Sequence, residues 1–178
     1  MKYLVFSDIH GSKFYAEKMK NIIDNVKPDK LILLGDLYYH GPRNSLPKDY
    51  APAEVCNILN NYKDIILCCK GNCDAEVDEM ISNFEFKEEY VLNISGKRVM
   101  FTHGHRRKAE DVCEDIDILI YGHFHTGFIK QNKGVLCINS GSISLPKENT
   151  PNSYLLIEND VVFLKDLDNN IISKVEIK

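Results

Sequence analysis

Apolar residues in the first seventy positions of the chain form three short continuous runs, and each run ends abruptly at polar residues or glycine. The runs occupy positions 2–6, 31–34 and 65–69, and runs of this length predict strands that are buried on both faces. Between the first two runs, apolar side chains recur at helical spacing over residues 13–25, which predicts an amphipathic helix. The order strand, helix, strand predicts two parallel neighbouring strands joined by a right-handed crossover.

The remainder of the chain predicts two further helices and then a β-rich half. One helix is expected at about residues 53–62, after a long loop, and a short one runs through Ile81 with Asp74 at its N-cap. From residue 90 onward, short apolar runs separated by Gly, Asn and Asp predict a hairpin followed by six strands, at 90–94, 98–102, 118–121, 128–131, 135–139, 153–158, 161–167 and 171–177. This distribution predicts one α/β (α+β) domain over residues 1–178, built from two stacked sheets flanked by helices.

Composition limits the partners of this domain. Its 178 residues carry 22 Lys and Arg against 26 Asp and Glu, a net charge of −4, so no long-range attraction to nucleic acid or anionic lipid is expected. The one basic cluster, residues 106–108, is short and typical of a solvated face. No run approaches the roughly 18 apolar residues of a membrane span, no signal peptide is recognised, and the six cysteines include no CxxC pair. We therefore expect a cytoplasmic protein with reduced thiols.

Side chains that bind metal ions gather directly after the predicted strand ends. These residues are Asp8, His10, Asp36, Asn72, His103, His105, His123 and His125. Open α/β sheets place ligands in the crevice outside the carboxyl ends of their strands, so these separate segments are expected to converge. A single histidine is usually a structural residue, but five of the six histidines lie in such loops. The pattern therefore predicts a metal site with mixed nitrogen and oxygen ligands, and the near absence of cysteine disfavours a closed structural zinc site.

The donor set also constrains the ions. Carboxylate, amide oxygen and imidazole suit Mn²⁺, Fe²⁺, Zn²⁺, Co²⁺ and Ni²⁺, among which the sequence does not choose, and we take Mn²⁺ as the first candidate. The candidate ligands exceed the needs of one ion, so we predict two ions that share a bridging carboxylate. A pair of ions roughly 3.5–4 Å apart is the usual device for in-line displacement at phosphorus.

The motifs that carry these residues resemble those of the calcineurin-like metallophosphoesterase superfamily, and the match spans almost the whole chain. They are Asp8-Ile9-His10, Gly35-Asp36, Gly71-Asn72-Cys73-Asp74, Thr102-His103-Gly104-His105 and Gly122-His123-Phe124-His125. Segments 40–44 and 141–147 are in addition similar to the small YfcE-type phosphodiesterases of that superfamily. The resemblance implies an αββα sandwich of two mixed sheets, with a dinuclear metal site at the strand ends.

The resemblance also implies a role for each candidate residue. One ion would be held by Asp8, His10 and His125, the other by Asn72, His103 and His123, and Asp36 would bridge the two. A hydroxide shared by the ions would attack phosphorus, so that no protein nucleophile is needed. His105 would lie beside the ions or face the substrate. Arg43 would pair with a phosphate oxygen, although anchoring of its own loop or a subunit contact fits Arg43 equally well.

The chain departs from the superfamily at Cys73, where most members have a histidine that is thought to protonate the leaving group. A thiol, with a pKa of about 8.5, is a poor general acid for an alkoxide. We therefore expect the substrates to be small phosphodiesters with good, aryl-like leaving groups. The candidate catalytic residues are Asn72, Cys73, His105 and Arg43.

Two alternatives stay open. One is a non-catalytic scaffold for protein–protein contacts, as in a retromer subunit with this fold, but every ligand position here carries a competent donor. The other is a small nuclease or cyclic nucleotide phosphodiesterase, and the net charge of −4 disfavours a long nucleic-acid track. The expected partners are a small phosphodiester and further copies of the chain in a homo-oligomer, to which an exposed Tyr38-Tyr39 pair would contribute. No membrane and no strong nucleic-acid-binding surface is expected.

Overall fold

Strands dominate the computed structural model, which describes residues 1–106 and 115–177. Three helices occur in this part of the chain, α1 (Lys13–Val26), α2 (Pro52–Asn60) and α3 (Glu76–Ile81). The strands are β1 (Tyr3–Phe6), β2 (Lys30–Leu33), β3 (Ile66–Cys69), β4 (Phe86–Lys87), β5 (Glu89–Ile94), β6 (Lys97–Thr102), β7 (Ile118–Tyr121), β8 (Gly127–Asn132), β9 (Val135–Ser140), β10 (Ser153–Glu158), β11 (Val161–Asp166) and β12 (Ile171–Glu176). Among the elements of residues 1–106 and 115–177, only the two-residue strand β4 has no counterpart in those predicted from the sequence.

The strands form two mixed sheets, which confirms the predicted fold class. A seven-stranded sheet has the order β12-β11-β10-β1-β2-β3-β4, and a five-stranded sheet has the order β5-β6-β7-β9-β8. Strands β1, β2 and β3 run parallel, as the crossover through α1 requires. Strands β6, β7 and β9 are likewise parallel, and β5 and β6 form the expected antiparallel hairpin. Each sheet therefore has parallel strands at its centre whose carboxyl ends lie along one edge.

The continuous apolar runs have a direct physical cause in the layered core. Within β1, Leu4 and Phe6 pack in one cluster with buried residues of α1 and α2. The intervening Val5 packs in a second cluster, together with Phe101 and Ile120 of the five-stranded sheet. Both faces of this central strand are thus covered, one by helices and one by the other sheet, so an alternation of polar and apolar residues is absent. The rigid strand ends that result hold the loops described below.

Two expectations about particular residues are wrong. Tyr38 is 2% exposed, whereas Tyr39 is 44% exposed, so the pair is not a surface feature as a whole. The Tyr38 ring packs in the helix-side cluster and its hydroxyl lies 2.7 Å from Ser82 Oγ, which satisfies its polar end. Asp74 is not the N-cap of α3, because the helix begins one residue later and the Asp78 carboxylate accepts the backbone N–H of Ala75 at 2.8 Å.

The basic cluster, the thiols and the helices were each the subject of an expectation from the sequence. Arg106 is exposed and pairs with Glu88 at 2.9 Å, whereas residues 107 and 108 of the basic cluster lie outside the described residues, as does Cys113. The five cysteines in the described ranges are free thiols, and Cys73 is the one among them that is not buried. No helix within residues 1–106 and 115–177 is long and apolar enough to span a membrane.

Candidate metal centre

The structure brings all seven of the predicted metal ligands to one edge of the sandwich. These candidate ligands lie in the loops that follow β1, β2, β3, β6 and β7, and they are Asp8, His10, Asp36, Asn72, His103, His123 and His125. Five loops that are distant in sequence meet there because parallel strands of both sheets end at the same edge.

One group of donors consists of Asp8, His10 and His125. The Nε2 atoms of His10 and His125 lie 3.2 Å apart. Asp8 Oδ1 lies 3.2 Å from His125 Nε2 and 3.7 Å from His10 Nε2. The three donor atoms therefore surround one small volume, in a region where all three side chains are almost fully buried.

A second group of donors consists of Asn72, His103 and His123. His103 Nε2 lies 3.1 Å from Asn72 Oδ1 and 3.2 Å from His123 Nδ1. Asp36 lies between the two groups, with Oδ2 at 3.7 Å from His10 Nε2 and 3.5 Å from His103 Nε2. Its other oxygen, Oδ1, accepts the backbone N–H of Cys73 at 2.8 Å, which fixes the plane of the carboxylate.

Backbone carbonyls set the tautomer of three of the histidines. The Nδ1 atoms of His10, His103 and His125 lie 2.8, 2.7 and 2.6 Å from the carbonyl oxygens of Tyr39, Leu34 and Leu145. A carbonyl oxygen only accepts, so Nδ1 carries the proton in each ring and the neutral ring presents a lone pair at Nε2. All three Nε2 atoms face the centre, which is the arrangement of histidines that bind metal ions.

The buried carboxylate of Asp8 tests whether cations fit this centre. Its Oδ2 accepts the Ser7 hydroxyl at 2.5 Å and the His123 backbone N–H at 3.0 Å. Its Oδ1 is fully buried and has no hydrogen-bond partner among the described residues. An unpartnered buried carboxylate oxygen that faces two imidazole lone pairs is costly, and a divalent cation would satisfy all three donors. The residues therefore fit a metal centre.

The charges at the centre also favour the binding of cations. Burial raises the pKa of Asp8, but the adjacent imidazoles of His10 and His125 and the charge of His103 outweigh burial and hold that pKa well below its usual range. Burial lowers the pKa of His103, but the Asp36 hydrogen bond and the charges of Asp8 and Asp36 outweigh it and raise the pKa to about 9. Burial and the neighbouring His103 lower the pKa of His123 to about 4. Without cations, then, the carboxylates keep their charge and hold a proton on His103, which a bound ion would displace.

The backbone at the centre is strained. Five of the seven candidate ligands have left-handed φ angles, between 51° and 66°, namely Asp8, His10, Asp36, His123 and His125. Such angles are uncommon for residues other than glycine and tend to cluster at functional sites. Packing at the centre is also close, because a Cβ atom on Gly122 would lie 1.9 Å from Ser7 Oγ and 2.7 Å from Asp8 Oδ2. No sequence signal reveals this strain.

Asp74 supports the centre instead of capping α3. Its carboxylate accepts the backbone N–H groups of Gly71 at 2.7 Å and of Asp36 and Leu37 at 2.8 Å each. Burial and the negative charge of Asp36 raise the pKa of Asp74 to about 6. The side chain thus ties the loop after β3 to the loop after β2 and positions Asp36. In the sequence, Asp74 lies just before a predicted helix, and this position led to the wrong prediction of an N-cap. The three N–H groups that it accepts belong to its own turn and to the loop after β2, and the sequence does not reveal these contacts.

A cavity of about 380 Å³ opens beside the centre and contains most of the remaining candidates. Arg43 and Cys73 line it together with Asp36, and so does Lys147, which is not among the site residues predicted from the sequence. The backbone N–H of Lys147 donates to the His125 carbonyl at 3.0 Å. Segment 141–147, which resembles the small phosphodiesterases, could have indicated Lys147 as a site residue. The segment contains this lysine and also Leu145, whose carbonyl orients His125.

His105 and Cys73 differ in their relation to the centre. The His105 ring is partly exposed, 5.3 Å from the His103 ring between centroids, and its buried Nδ1 has no hydrogen-bond partner among the described residues. Burial and the nearby His103 lower the pKa of His105. Burial and the charge of Asp36 raise the pKa of Cys73 to about 12, so its thiol is a weaker proton donor than the ordinary thiol assumed from the sequence.

Comparisons with known proteins agree with this geometry. The phosphodiesterase YfcE of Escherichia coli strain K12 is 37% identical over 181 residues, which cover 99% of this chain and 98% of that protein. The probable metallophosphoesterase YsnB of Bacillus subtilis strain 168 is 26% identical, over 94% of this chain and 91% of that protein.

The chain is also similar in structure to proteins of known structure. The E. coli phosphoesterase Yfce superposes with a TM-score of 0.96 at 36% identity, over the full length of both chains. Vps29 of Entamoeba histolytica in complex with zinc has a TM-score of 0.63 at 19% identity over both full chains, which is a likeness of fold. The model of the calcineurin-like phosphoesterase superfamily domain matches residues 1–161. With that match over most of its length and with a relative of this similarity, the chain belongs to the calcineurin-like phosphoesterase superfamily.

Proposed function

We propose that this chain is a phosphodiesterase that uses two divalent metal ions to hydrolyse small phosphodiesters with good leaving groups. The observation that carries the proposal is the unpartnered, buried Oδ1 of Asp8 within a set of converging lone pairs at the edge of a cavity. The full-length similarity to the E. coli phosphodiesterase supports the same reaction class.

The proposal assigns the seven ligands in two groups. Asp8, His10 and His125 would hold one ion, Asn72, His103 and His123 would hold the other, and Asp36 would contact both. When bound, the two ions supply an activated water and neutralise charge at phosphorus. The chain's own contribution is to keep three Nε2 lone pairs and two carboxylates aimed at the centre. Mn²⁺ is the first candidate, with Zn²⁺, Fe²⁺, Co²⁺ and Ni²⁺ as alternatives.

Two cationic side chains at the cavity bind the substrate in this proposal. Arg43 and Lys147 both line the cavity that contains Asp36 and His123. The Arg43 guanidinium pairs with non-bridging oxygens of the phosphodiester through its planar fork, and the Lys147 ammonium adds a second positive charge. His105, whose ring lies 5.3 Å from that of His103, acts beside the ions as an orienting group.

Cys73 shapes the substrate preference because it cannot protonate a leaving group efficiently. With its pKa raised to about 12 by burial and by Asp36, the thiol offers little acid assistance at neutral pH. An aryl leaving group needs no such assistance, whereas an alkoxide does. The reaction is therefore restricted to esters whose leaving groups depart as stable anions.

A substrate panel tests the proposal. Chelated protein is reloaded with Mn²⁺ and assayed on nitrophenyl phosphodiesters, nitrophenyl monoesters, alkyl esters and cyclic nucleotides. We expect the nitrophenyl diesters to be the best substrates, with no turnover before the ion is restored. Equal rates on alkyl and nitrophenyl esters would contradict the leaving-group argument. Stable ion binding without turnover on any ester would favour the scaffold alternative.

A matched pair of arginine variants tests the substrate contact. Arg43→Ala removes the guanidinium from the cavity, and Arg98→Ala removes an exposed guanidinium that pairs with Asp115 at 3.0 Å elsewhere. Hydrogen bonds to charged groups contribute about 1.5–3 kcal/mol, so we expect Arg43→Ala to lower kcat/KM roughly 10- to 100-fold. The Arg98→Ala control should stay within twofold of the parent, by the ~0–1 kcal/mol value of surface pairs. Equal effects of the two changes would remove Arg43 from the site.

We also propose a cytoplasmic location and a homo-oligomeric state. The free thiols of the five described cysteines support a reducing compartment. The homo-oligomer rests on the family resemblance, and the exposed Tyr39 and Leu46 of the loop after β2 offer apolar surface for it. Sedimentation equilibrium measures the assembly, and a monomer at micromolar concentration would contradict it.

A further inference from the structure

The thiol of Cys73 is a potential metal donor without a role in the ligand set proposed above, and it lies beside two members of that set. A ligand atom of His10, a carboxylate oxygen of Asp36 and Cys73 Sγ all lie within 4.8 Å of one another. His10 is fully buried and Asp36 nearly so, whereas Cys73 is partly exposed and lines the cavity. Nitrogen, oxygen and sulfur donors therefore meet at the boundary between the centre and the cavity.

Three contacts hold the sulfur in this position. The backbone N–H of Cys73 donates to Asp36 Oδ1 at 2.8 Å, so the residue is tied to the carboxylate beside it. The Asn72 side-chain amide donates to Sγ at 3.2 Å, which makes the sulfur an acceptor. Gly41 faces the thiol, and a Cβ atom at that position would lie 3.0 Å from Sγ, so the absence of a side chain leaves room for the sulfur.

We propose that Cys73 is a conditional metal ligand, which binds thiophilic divalent ions such as Cd²⁺, Zn²⁺ or Co²⁺ together with His10 and Asp36 and leaves Mn²⁺ to oxygen and nitrogen donors. Thiolate sulfur prefers soft and borderline ions, whereas Mn²⁺ prefers carboxylate and imidazole. On binding, the bond between sulfur and hydrogen breaks, the proton passes to solvent, and a bond between sulfur and the metal forms without any change of oxidation state.

The dimensions of the cluster allow this binding. Donors of a tetrahedral zinc ion with bonds of about 2.0–2.3 Å lie roughly 3.3–3.8 Å apart, so the three side chains need to close by about 1–1.5 Å at most. The identity of the ion at this centre is then decided by one sulfur atom on the cavity side. The inference rests on the metal centre of the proposed function.

Spectroscopic titration of the full-length protein tests the thiol directly. Metal-free protein is titrated with Co²⁺ alone and with Cd²⁺ alone, and the near-ultraviolet charge-transfer band from sulfur to metal is recorded. The variants are Cys73→Ser and Cys73→Ala, with Cys137→Ala as the matched control, because Cys137 is a buried thiol on β9 outside the centre. Far-ultraviolet circular dichroism checks that each variant is folded.

We expect the band in the parent and in Cys137→Ala, and its loss in both Cys73 variants. Loss of an outer-sphere partner alone typically weakens metal binding 10- to 100-fold, so removal of a ligand should weaken Cd²⁺ binding by at least about that factor. The affinity for Mn²⁺ should change by less than about threefold, because Mn²⁺ does not use the sulfur in this account.

The outcomes separate the thiol from the metal centre. A band that persists in Cys73→Ser, or parallel losses of Cd²⁺ and Mn²⁺ affinity, would overturn the role of the thiol. Cd²⁺ bound to the parent without a charge-transfer band would also overturn it and leave the proposed function intact. Failure of the parent to bind either ion would overturn the metal centre itself, and with it the proposed function.

Discussion

Replacement of Asp36 by asparagine tests whether this carboxylate bridges the two ions, because it changes only one of the two side-chain oxygens. Asp36 Oδ1 accepts the Cys73 backbone N–H, so an asparagine oxygen occupies the same place and keeps that hydrogen bond. The amide nitrogen then takes the position of Oδ2, 3.7 Å from His10 Nε2 and 3.5 Å from His103 Nε2. An N–H donor would replace an acceptor between the two groups of ligands. Asp36→Asn should therefore weaken both ions while the fold survives.

The magnitude follows from the position of that oxygen. A unit charge about 4 Å away contributes roughly 4 kcal/mol at an effective dielectric constant of 20, before the cost of desolvation is subtracted. A net loss of at least about 100-fold in affinity, or ~2.8 kcal/mol, is expected for each ion. Elemental analysis gives the ions per chain, and calorimetric titration with Mn²⁺ gives both affinities. His10→Ala is the matched variant, because it removes a donor from one group and should weaken one ion.

Two results would refute this reasoning. Asp36→Asn that keeps two ions and near-normal hydrolysis of a nitrophenyl diester would show that Asp36 does not bridge. His10→Ala that loses both ions to the same extent as Asp36→Asn would show that the two groups are not separate sites. Far-ultraviolet circular dichroism of both variants excludes unfolding as the cause of either loss.

Three further predictions concern the metals, the general-acid position and the packing of Asp8. A chelator should abolish activity while far-ultraviolet circular dichroism is preserved, because the two hydrophobic clusters of the core contain none of the candidate ligands. Cooperative loss of the signal would contradict this. Cys73→His should raise hydrolysis of alkyl esters by up to about 10²- to 10⁴-fold and that of nitrophenyl esters by less. Cys73→Ala should keep the nitrophenyl rate within several-fold of the parent. Loss of all activity in Cys73→Ala with both ions bound would refute this minor role of the thiol. Gly122→Ala should lose the ion held by Asp8 and unfold more easily by about 1–3 kcal/mol, since its Cβ would overlap Ser7 Oγ. Gly134→Ala, whose Cβ meets no atom within 4 Å, should keep full metal content.

Most of the fold could be predicted from the sequence because the burial of a strand determines which residue types occur along it. Strand β1 is covered on both faces, and its unbroken apolar run reports that fact without reference to any distant residue. The prediction of β7 at 118–121 and β10 at 153–158 matches the observed bounds for the same reason. The two-residue strand β4 was missed because a pair of residues carries no period.

The donor types at the centre could also be predicted from the sequence, since each candidate ligand follows the end of a parallel strand. Asp8 and Asp36 could be named from their place after β1 and β2 alone. The particular role of each aspartate could not be predicted from the sequence. The same kind of residue, Asp74, accepts three backbone N–H groups and holds a loop in place, and only the tertiary structure distinguishes it from a helix cap or a ligand.

The sequence by itself determined the layers of the sandwich and the chemical identity of the donors, because periodicity and residue type are local properties of the chain. The tertiary structure alone decided which lone pairs face the centre, since that depends on partners far away in sequence. The Leu34 carbonyl that orients His103 is 69 positions away, and the hydroxyl of Ser144 that holds the Asp8 carbonyl is 136 positions away. It also decided that Cys73 Sγ lies beside His10 and Asp36, because only the meeting of the loops after β1, β2 and β3 brings these three atoms together.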